Sequence, residues 1–528
     1  MSSNQVTADD SPLADRVRAW IDDDPDHTTR AELIALLAAG AGEELADRFA
    51  GPLHFGTAGL RGPVRGGPNG MNRAVVRRTA AGLAAHLAAT RGPGCTVVVG
   101  LDARHGSREF CDDVGAVLAG AGHRALLLPR PLPTPVLAYA VLRLGADAGV
   151  MVTASHNPSQ DNGLKVYLAD GAQLPSPDDE AVERRIAAVG AVRELPLGTP
   201  IVLDDQVVSD YLEALVDVPL TGHREVSVAY TPLHGVGLET VLAAFARAGF
   251  APPAVVTQQA EPDPDFPTVA FPNPEEPGAL DLLLALSATT GADVAIASDP
   301  DADRIAVVVG QRPLRGDETG VLLADHLLSH GQRGRVATTI VSSSLLEKVA
   351  AAYDVPFSQT LTGFKHLARA DGGTGDLLYA YEEALGVAVA PRLVRDKDGV
   401  SAALLVADLA AQEKARGRTL LDRLADLERQ HGRHETRQLS YRVADLSRIT
   451  AAVDDLRSSP PTSYGEQAVV AVEQPADDVL VHRLTAGRVV VRPSGTEPKL
   501  KAYLELVDPA PGALDALAAA VDARLGLS

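Results

Sequence analysis

Three times along the chain a short run of mostly apolar residues stops at a polar turn that carries reactive side chains. Gly149-Val150-Met151-Val152 runs into Thr153-Ala154-Ser155-His156-Asn157-Pro158, Val294–Ala297 into Asp299-Pro300-Asp301-Ala302-Asp303-Arg304, and Leu377–Ala380 into Glu382-Glu383-Ala384-Leu385-Gly386. Runs of this length between turn signals mark buried strands, and helical patterns lie between them. Such alternation folds as a mainly parallel sheet covered by helices, which sets the class as α/β. It also sets where chemistry belongs, because open α/β sheets bind ligands at the carboxyl ends of their strands.

The alternation falls into blocks. In the first, helices are expected at Arg30–Phe49, Arg73–Thr90, Glu109–Ala121, Glu180–Val189 and Val207–Leu215, with strands at Thr96–Val99 and Arg124–Leu128. A second block opens at Glu225 with Val226, Val228 and Tyr230 on a strand that leads into Thr231-Pro232-Leu233-His234-Gly235-Val236-Gly237. Residues 261–278 contain six prolines and form a stiff, shaped loop, not regular structure. A third block starts at Arg335 and carries Gly363-Phe364-Lys365 and a long helix from near Gly399. Gln430–Arg437 is polar and basic and reads as a linker. Beyond it, strands at Ala468–Glu473, Arg488–Val491 and Lys501–Val507 with a terminal helix Ala513–Leu525 imply an antiparallel sheet with helices on one side. With 528 residues, more than one core organises, the expected domains are 1–220, 221–332, 333–432 and 433–528.

Charge narrows the function. Lys plus Arg total 48 against 69 Asp plus Glu, a net charge of −21, which argues against a nonspecific nucleic-acid or anionic-membrane surface. An anionic substrate must then be caught by local clusters of basic groups. The two cysteines, Cys95 and Cys111, form neither a disulfide framework nor a metal spacing, and a reducing cytoplasm is the expected setting. The first twenty residues lack a basic and apolar leader pattern, and no stretch reaches the roughly 18 apolar residues of a membrane span. Neither nucleic acid nor membrane is therefore an expected partner, and oligomeric state is left open.

Four turns carry the chemistry. Asn157-Pro158 lifts Ser155 into a crevice at a strand end, although Thr153, Ser155 and Asn157 are also ordinary turn formers. Asp299, Asp301 and Asp303 alternate directly after a strand and can converge on one hard cation; a solvated acidic turn is the plainer alternative. The turn is no EF-hand, since Arg304 and Gly310 stand where that loop needs glycine and glutamate, and three ligands with coordination to spare suit Mg²⁺. Arg492-Pro493-Ser494-Gly495-Thr496 offers a guanidinium, two hydroxyls and a glycine amide that can wrap a phosphate, or is a basic turn with structural caps. Glu382-Glu383 offers acceptors for vicinal sugar hydroxyls, or acidic residues favoured by a helix dipole. A weaker fifth signal, Phe55-Gly56-Thr57-Ala58-Gly59-Leu60-Arg61-Gly62, brings amides and one arginine close together, as a plain turn also does. Together these turns imply phosphoryl transfer on a phosphorylated polyol or sugar.

The motifs TASHNP, DPDADR, EEALG and RPSGTEPK, in that order, resemble those of the α-D-phosphohexomutases. FGTAGLRG, TPLHGVG, the PDPDFP passage and DKDG further resemble the long branch holding phosphoglucomutase-2-like and phosphopentomutase-like enzymes. The resemblance implies four domains around a central cleft: three related α/β domains with mixed sheets and a smaller C-terminal α+β domain. It implies a mutase that interconverts sugar 1-phosphate and 6-phosphate (or 5-phosphate) through a phosphoserine and a bisphosphate, with glucose phosphate as first choice and pentose or mannose phosphate as alternatives. A serine-dependent phosphatase is the rival chemistry. Ser155 would carry the phosphoryl group and share Mg²⁺ with Asp299, Asp301 and Asp303, and a sugar bisphosphate would act as activator. Lys165 and Lys397 resemble the acid/base or charge-stabilising groups, with His156, Arg61 and Arg304 at the same centre. Gly363 and Phe364 match the loop that senses the sugar's C1 orientation, Glu382 the carboxylate that grips ring hydroxyls, and Arg492, Ser494, Gly495 and Thr496 the site of the phosphate that is not reacting. Ala384 departs from the serine of hexose-specific relatives, which loosens the expectation of strict glucose specificity.

Overall fold

A computed structural model describes residues 12–56, 59–443, 446–493 and 499–527, and the chain divides into two compact units. The first comprises residues 1–314 and 386–411, the second residues 315–385 and 412–528.

The first unit begins with helices Pro12–Asp23, His27–Ala38 and Gly42–Arg48, joined into a small core by Val17, Leu33, Leu45 and Phe49. A single helix over Arg30–Phe49 is thus corrected to two. The break falls at Gly40, whose φ of 63° lies in the left-handed region that ends helices. Next come β1 (Phe55–Gly56), β2 (Gly59–Pro63), β3 (Thr96–Leu101), β4 (Arg124–Leu127), β5 (Ala148–Val152), β6 (Asp161–Leu168) and β7 (Ile201–Val202), in the spatial order β1-β2-β6-β5-β3-β4-β7. The pairs β5–β3, β3–β4 and β4–β7 are parallel, whereas β5–β6, β6–β2 and β2–β1 are antiparallel. The sheet is therefore mixed rather than mainly parallel, because the chain turns straight back after Ser155 into β6 instead of crossing over through a helix. The two-residue side-chain period then sorts β6: Leu164 and Val166 join the core with Val150 and Val152, while Lys165 and Tyr167 point to the opposite face.

A second sheet follows, with β8 (Val228–Thr231), β9 (Ala254–Val255), β10 (Val294–Ser298), β11 (Ile305–Val309) and β12 (Arg312–Pro313) in the order β12-β11-β10-β8-β9. Here β10 is parallel to β8 and antiparallel to β11, so Asp299–Arg304 is the tight connection between two central, wholly buried strands. Residues 261–278 contain neither helix nor strand, as their prolines require.

In the second unit, parallel strands Phe357–Thr360, Arg335–Thr339 and Leu377–Glu382 lie side by side, with helices Gly316–Ser329 and Leu345–Ala352. The C-terminal sheet is antiparallel and backed by helices Leu446–Ser458 and Ala513–Leu525 over a core that includes Val489, Leu500, Leu504 and Val521. The same region contains helix Leu446–Ser458 and strand Val479–Leu484, which lie outside the elements expected from the sequence. The linker expected over Gln430–Arg437 is instead a helix ending at His431 and a strand, His434–Arg442, that pairs along its whole length with Lys499–Val507.

Candidate active site

The reactive groups of the first unit meet where β5 and β10 end. Ser155, three residues past β5, is held at φ 53° and is 1% exposed. Its amide donates to Thr153 Oγ1 (2.8 Å), its Oγ donates to Asp299 Oδ2 (2.8 Å), and His156 Nδ1 lies 3.3 Å from that Oγ. The turn after β10 closes when Ala302 N donates to the Asp299 carbonyl (2.9 Å), with Ala302 itself at φ 52°. Asp299, Asp301 and Asp303 are all fully buried, and one carboxylate oxygen from each lies within 4.8 Å of the others. Gly235 of the Thr231–Gly237 stretch packs onto this turn: a Cβ there would sit 2.3 Å from Pro300 Cα, and Val236 N donates to Pro300 O (2.9 Å).

Cations surround the triad. Lys165 Nζ donates to Asp301 Oδ2 (2.6 Å) and Asp303 Oδ2 (2.5 Å), and Lys397 Nζ lies 3.2 Å from Asp303 Oδ2 and 3.4 Å from Asp396 Oδ1. Arg304 donates its amide to Asp299 Oδ1 (3.0 Å) and sets its Nε 3.8 Å from Asp303 Oδ1. Arg61 comes from β2, where it faces Gly163 of β6, and its Nη1 donates to Asn157 Oδ1 (3.3 Å). Any side chain at position 163 would meet Arg61 Cγ at 2.8 Å, so the close approach of β2 needs glycine there.

Burial, then the charges of Asp301 and Asp303, push Asp299 well above the usual carboxylate range. Burial would also raise Asp301, but Lys165 and Thr134 outweigh it and hold that carboxyl well below. Burial, reinforced by Arg304 and Arg61, lowers His156 far below an ordinary imidazole and leaves it neutral beside Ser155. Among the described residues, Asp301 Oδ1 and Asp303 Oδ1 are buried and accept no hydrogen bond, and this triad is the one acidic, histidine or cysteine cluster with metal-ligand spacing. Orphaned, buried carboxylate oxygens beside a third carboxylate that is hard to ionise fit a hard divalent cation.

Four family models cover the chain: phosphoglucomutase/phosphomannomutase alpha/beta/alpha domains I (residues 52–193), II (209–312) and III (315–429), and the C-terminal domain (441–523). A probable phosphomannomutase of Haemophilus influenzae is 42% identical over 459 residues, which cover 83% of this chain and 93% of the relative. The chain belongs to the phosphoglucomutase/phosphomannomutase family. It is a phosphosugar mutase, an isomerase, built from three α/β domains and a C-terminal domain. A phosphopentomutase of Mus musculus is 33% identical, covering 96% of this chain and 92% of the relative. The crystal structure of a putative phosphomannomutase from Thermus thermophilus superposes with a TM-score of 0.75 at 26% identity, over 90% of this chain and 99% of that one.

The remaining residues singled out in this family member lie in the second unit. Gly363, at φ 107°, precedes the short helix Phe364–Leu367, and Phe364 is buried. Glu382 closes the strand Leu377–Glu382 and is buried; Glu383 accepts from Thr339 Oγ1 and Ser342 Oγ, each at 3.2 Å, and Ala384 follows in a half-buried turn. Arg492 is half-buried in the strand Gly487–Pro493, opposite Lys501. Ser494, Gly495 and Thr496 lie outside the described residues, as do Thr57 and Ala58 of the first glycine-rich stretch.

Sequence reasoning missed several polar groups of this mutase's first unit. Thr134 donates its Oγ1 to Asp301 Oδ2 (2.6 Å) and its amide to the Asp301 carbonyl (2.9 Å), from 167 residues away, and nothing in the sequence joins the two. Asp396 accepts from Tyr167 OH and Gln173 Nε2, both at 2.7 Å, and so is braced beside Lys397. Its place beside Lys397 in the DKDG string was the available signal.

Proposed function

We propose that the chain interconverts sugar 1-phosphates and 6-phosphates, or 5-phosphates for pentoses, through phospho-Ser155 and a sugar bisphosphate, with glucose 1-phosphate as principal substrate. The observation that carries the reading is Ser155 itself: a buried hydroxyl, 2.8 Å from Asp299, at the rim of a carboxylate triad whose remaining oxygens suit a cation. Mg²⁺ is the proposed ion, held by Asp299, Asp301 and Asp303 with an oxygen on Ser155; when bound it supplies positive charge against the transferring phosphoryl oxygens.

In the forward half-reaction a free sugar hydroxyl attacks phospho-Ser155. The new P–O bond forms to the sugar oxygen, the Oγ–P bond breaks with its electron pair left on Ser155 Oγ, the sugar hydroxyl proton passes to a basic group at the centre, and Ser155 Oγ takes up a proton from an acid there. Lys165 and Lys397 are the acid/base candidates, and neutral His156 faces the serine oxygen. Arg61 and Arg304 add charge against the phosphoryl oxygens. The bisphosphate then returns its other phosphate to Ser155, which is why a sugar bisphosphate serves as activator. Glu382, Gly363, Phe364 and Ala384 are proposed to read the sugar, and Arg492, Ser494, Gly495 and Thr496 to hold the idle phosphate.

Relatives named for mannose and for pentose phosphates, together with Ala384 in place of a serine hydroxyl, support a tolerant sugar site. Two free, buried cysteines accord with a reducing cytoplasm. The test is a parallel assay of glucose, mannose and ribose 1-phosphates with the matching bisphosphates, alongside Ser155→Ala and intact-mass analysis. Phosphate on a Ser155 peptide and a dead Ser155→Ala support the reading. Full mutase turnover by Ser155→Ala, or inorganic phosphate as main product, overturns it, and equal turnover of all three sugars removes the preference for glucose.

A further inference from the structure

The proline-rich passage 261–278 has no part in the chemistry described so far, yet its Phe266 packs on the arginine that holds the serine turn. Arg104, 1% exposed at its side chain, donates to four carbonyls of that turn: Nη2 to Ser155 O (2.6 Å) and Asn157 O (2.5 Å), Nη1 to Pro158 O (2.7 Å) and Asp161 O (3.1 Å). A guanidinium is the one side chain with a planar fork of donors able to serve four acceptors at once. Behind it, the Phe266 ring covers Arg104 with its centroid 5.0 Å from the guanidinium carbon. Phe266 is 3% exposed and held at φ 47°, a conformation that a bulky residue avoids unless its surroundings impose it.

Those surroundings lead to the metal turn. Phe266 N donates to Asp263 O (3.2 Å), Asp263 N to His234 O (3.0 Å), and His234 and Gln259 both bond Thr268 Oγ1 (2.9 and 2.8 Å). His234 precedes Gly235, which lies flat on Pro300 beside Asp299. One continuous set of contacts thus joins the carbonyls of the serine turn to the carboxylates that face the serine hydroxyl.

We propose that Arg104 and Phe266 are a pair of positioning residues: Arg104 fixes the backbone of Ser155 through its carbonyl clamp, and the proline-stiffened passage presses Phe266 onto Arg104 to set the serine's register against Asp299. Neither residue touches the transferring group, so the pair acts on the rate of phosphoryl transfer at Ser155 and not on sugar affinity. The proposal rests on Ser155 being the phosphoryl carrier.

The experiment is rapid-quench phosphorylation of the full-length protein by glucose 1,6-bisphosphate with Mg²⁺, paired with steady-state kinetics, at a temperature where circular dichroism shows every variant native. Phe266→Leu keeps an apolar filling but loses the ring and slows Ser155 phosphorylation by about tenfold, with KM within about twofold of the parent. Phe266→Tyr, which keeps the ring, recovers most of that rate. Arg104→Lys keeps the charge but not the fork and slows the step by about 100-fold; should it not fold, the two Phe266 variants decide the matter alone. Parent-like phosphorylation in Phe266→Leu, equal slowing in Phe266→Tyr, or an effect confined to KM overturns the proposal. Ser155→Ala is run beside them: turnover by that variant overturns the phosphoserine reading and this one together, whereas a dead Ser155→Ala with a parent-like Phe266→Leu overturns this one alone.

Discussion

Each unit buries a cluster of carboxylates, and the two clusters are built to opposite ends. In the second unit, Glu505 Oε1 accepts from Ser343 Oγ (2.8 Å), Ser344 N (2.7 Å) and Ser344 Oγ (3.1 Å), with His434 Nδ1 at 3.0 Å, while its Oε2 accepts from Arg488 Nε (2.7 Å). Arg488 in turn donates to the Ile340 and Ser342 carbonyls. Burial alone would raise Glu505, but Arg488 and His434 bring it down to about 2, so it is a satisfied anion that ties the 340–344 loop to the C-terminal sheet. In the first unit Asp301 and Asp303 each keep one buried oxygen with no hydrogen bond from the described residues, and burial, then the charges of its neighbours, drives Asp299 toward its neutral form. A saturated buried charge holds a fold together; an unsaturated one is strained for binding something else.

The difference is sharpest in substitutions that remove one carboxyl group from each cluster. Asp299→Asn is expected to lower turnover by at least about 10³-fold without lowering the unfolding midpoint, because burial and the charges of Asp301 and Asp303 already oppose its ionisation in the fold. Treating the parent with a chelator is expected to abolish turnover and Mg²⁺ to restore it. A drop in midpoint with activity retained would make the triad structural and break the contrast. Glu505→Gln is expected to do the reverse, costing about 3 kcal/mol in urea unfolding by leaving Arg488 buried beside a neutral amide.

How much of this was legible in the sequence follows from the kind of contact involved. Helix Arg73–Thr90 was read to the residue, since its pattern and its cap at Asn72 are local. Ser155 and the Asp triad were found because each follows its own apolar strand, and a strand's end needs no knowledge of its partner. Thr134 and Arg104 were invisible because their meaning lies in bonds to Asp301 and to the serine turn, 167 and about 50 residues away. The start of the strand His434–Arg442 falls within the expected linker Gln430–Arg437 because this is the outermost strand of its sheet. Several of its residues face solvent, so it carries the polar, charged composition that protects an edge.

A third prediction concerns pH. Asp317, in the second unit, accepts from Ser343 N (2.7 Å) and Thr436 Oγ1 (3.1 Å), yet burial, with Glu383 and Glu505 nearby, raises its carboxyl to about 7. The folded chain therefore holds this proton more tightly than the unfolded chain, whose value is 3.8. The resulting stability is complete below the unfolded value and is lost as pH rises through about 7. Glu505 has the opposite sign: its contribution is present above its unfolded value of 4.5 and disappears only as pH falls toward 2, so it is constant across this window. Between about pH 5 and pH 8 the urea stability of the parent should fall by about 3 kcal/mol from Asp317. Asp317→Asn should flatten that slope, and an unchanged slope in the variant would assign it to another group.

The finest comparison removes a single hydroxyl from each cluster. Thr134→Val keeps the shape of the side chain at a fully buried position but deletes the donor to Asp301 Oδ2, which then has Lys165 as its remaining bonded partner. A carboxylate free to rotate about that one contact no longer presents its other oxygen at a fixed angle, so the loss should appear in kcat, about tenfold at saturating Mg²⁺, with stability reduced by only about 1 kcal/mol. Ser344→Ala deletes one of the donors to Glu505 Oε1 and leaves Ser343 Oγ, the Ser344 amide and His434 in place. It should cost about 0.5 kcal/mol and leave kcat unchanged. Should Thr134→Val match Ser344→Ala in both readouts, Lys165 alone orients Asp301, and the site is held more redundantly than its unpaired oxygens imply.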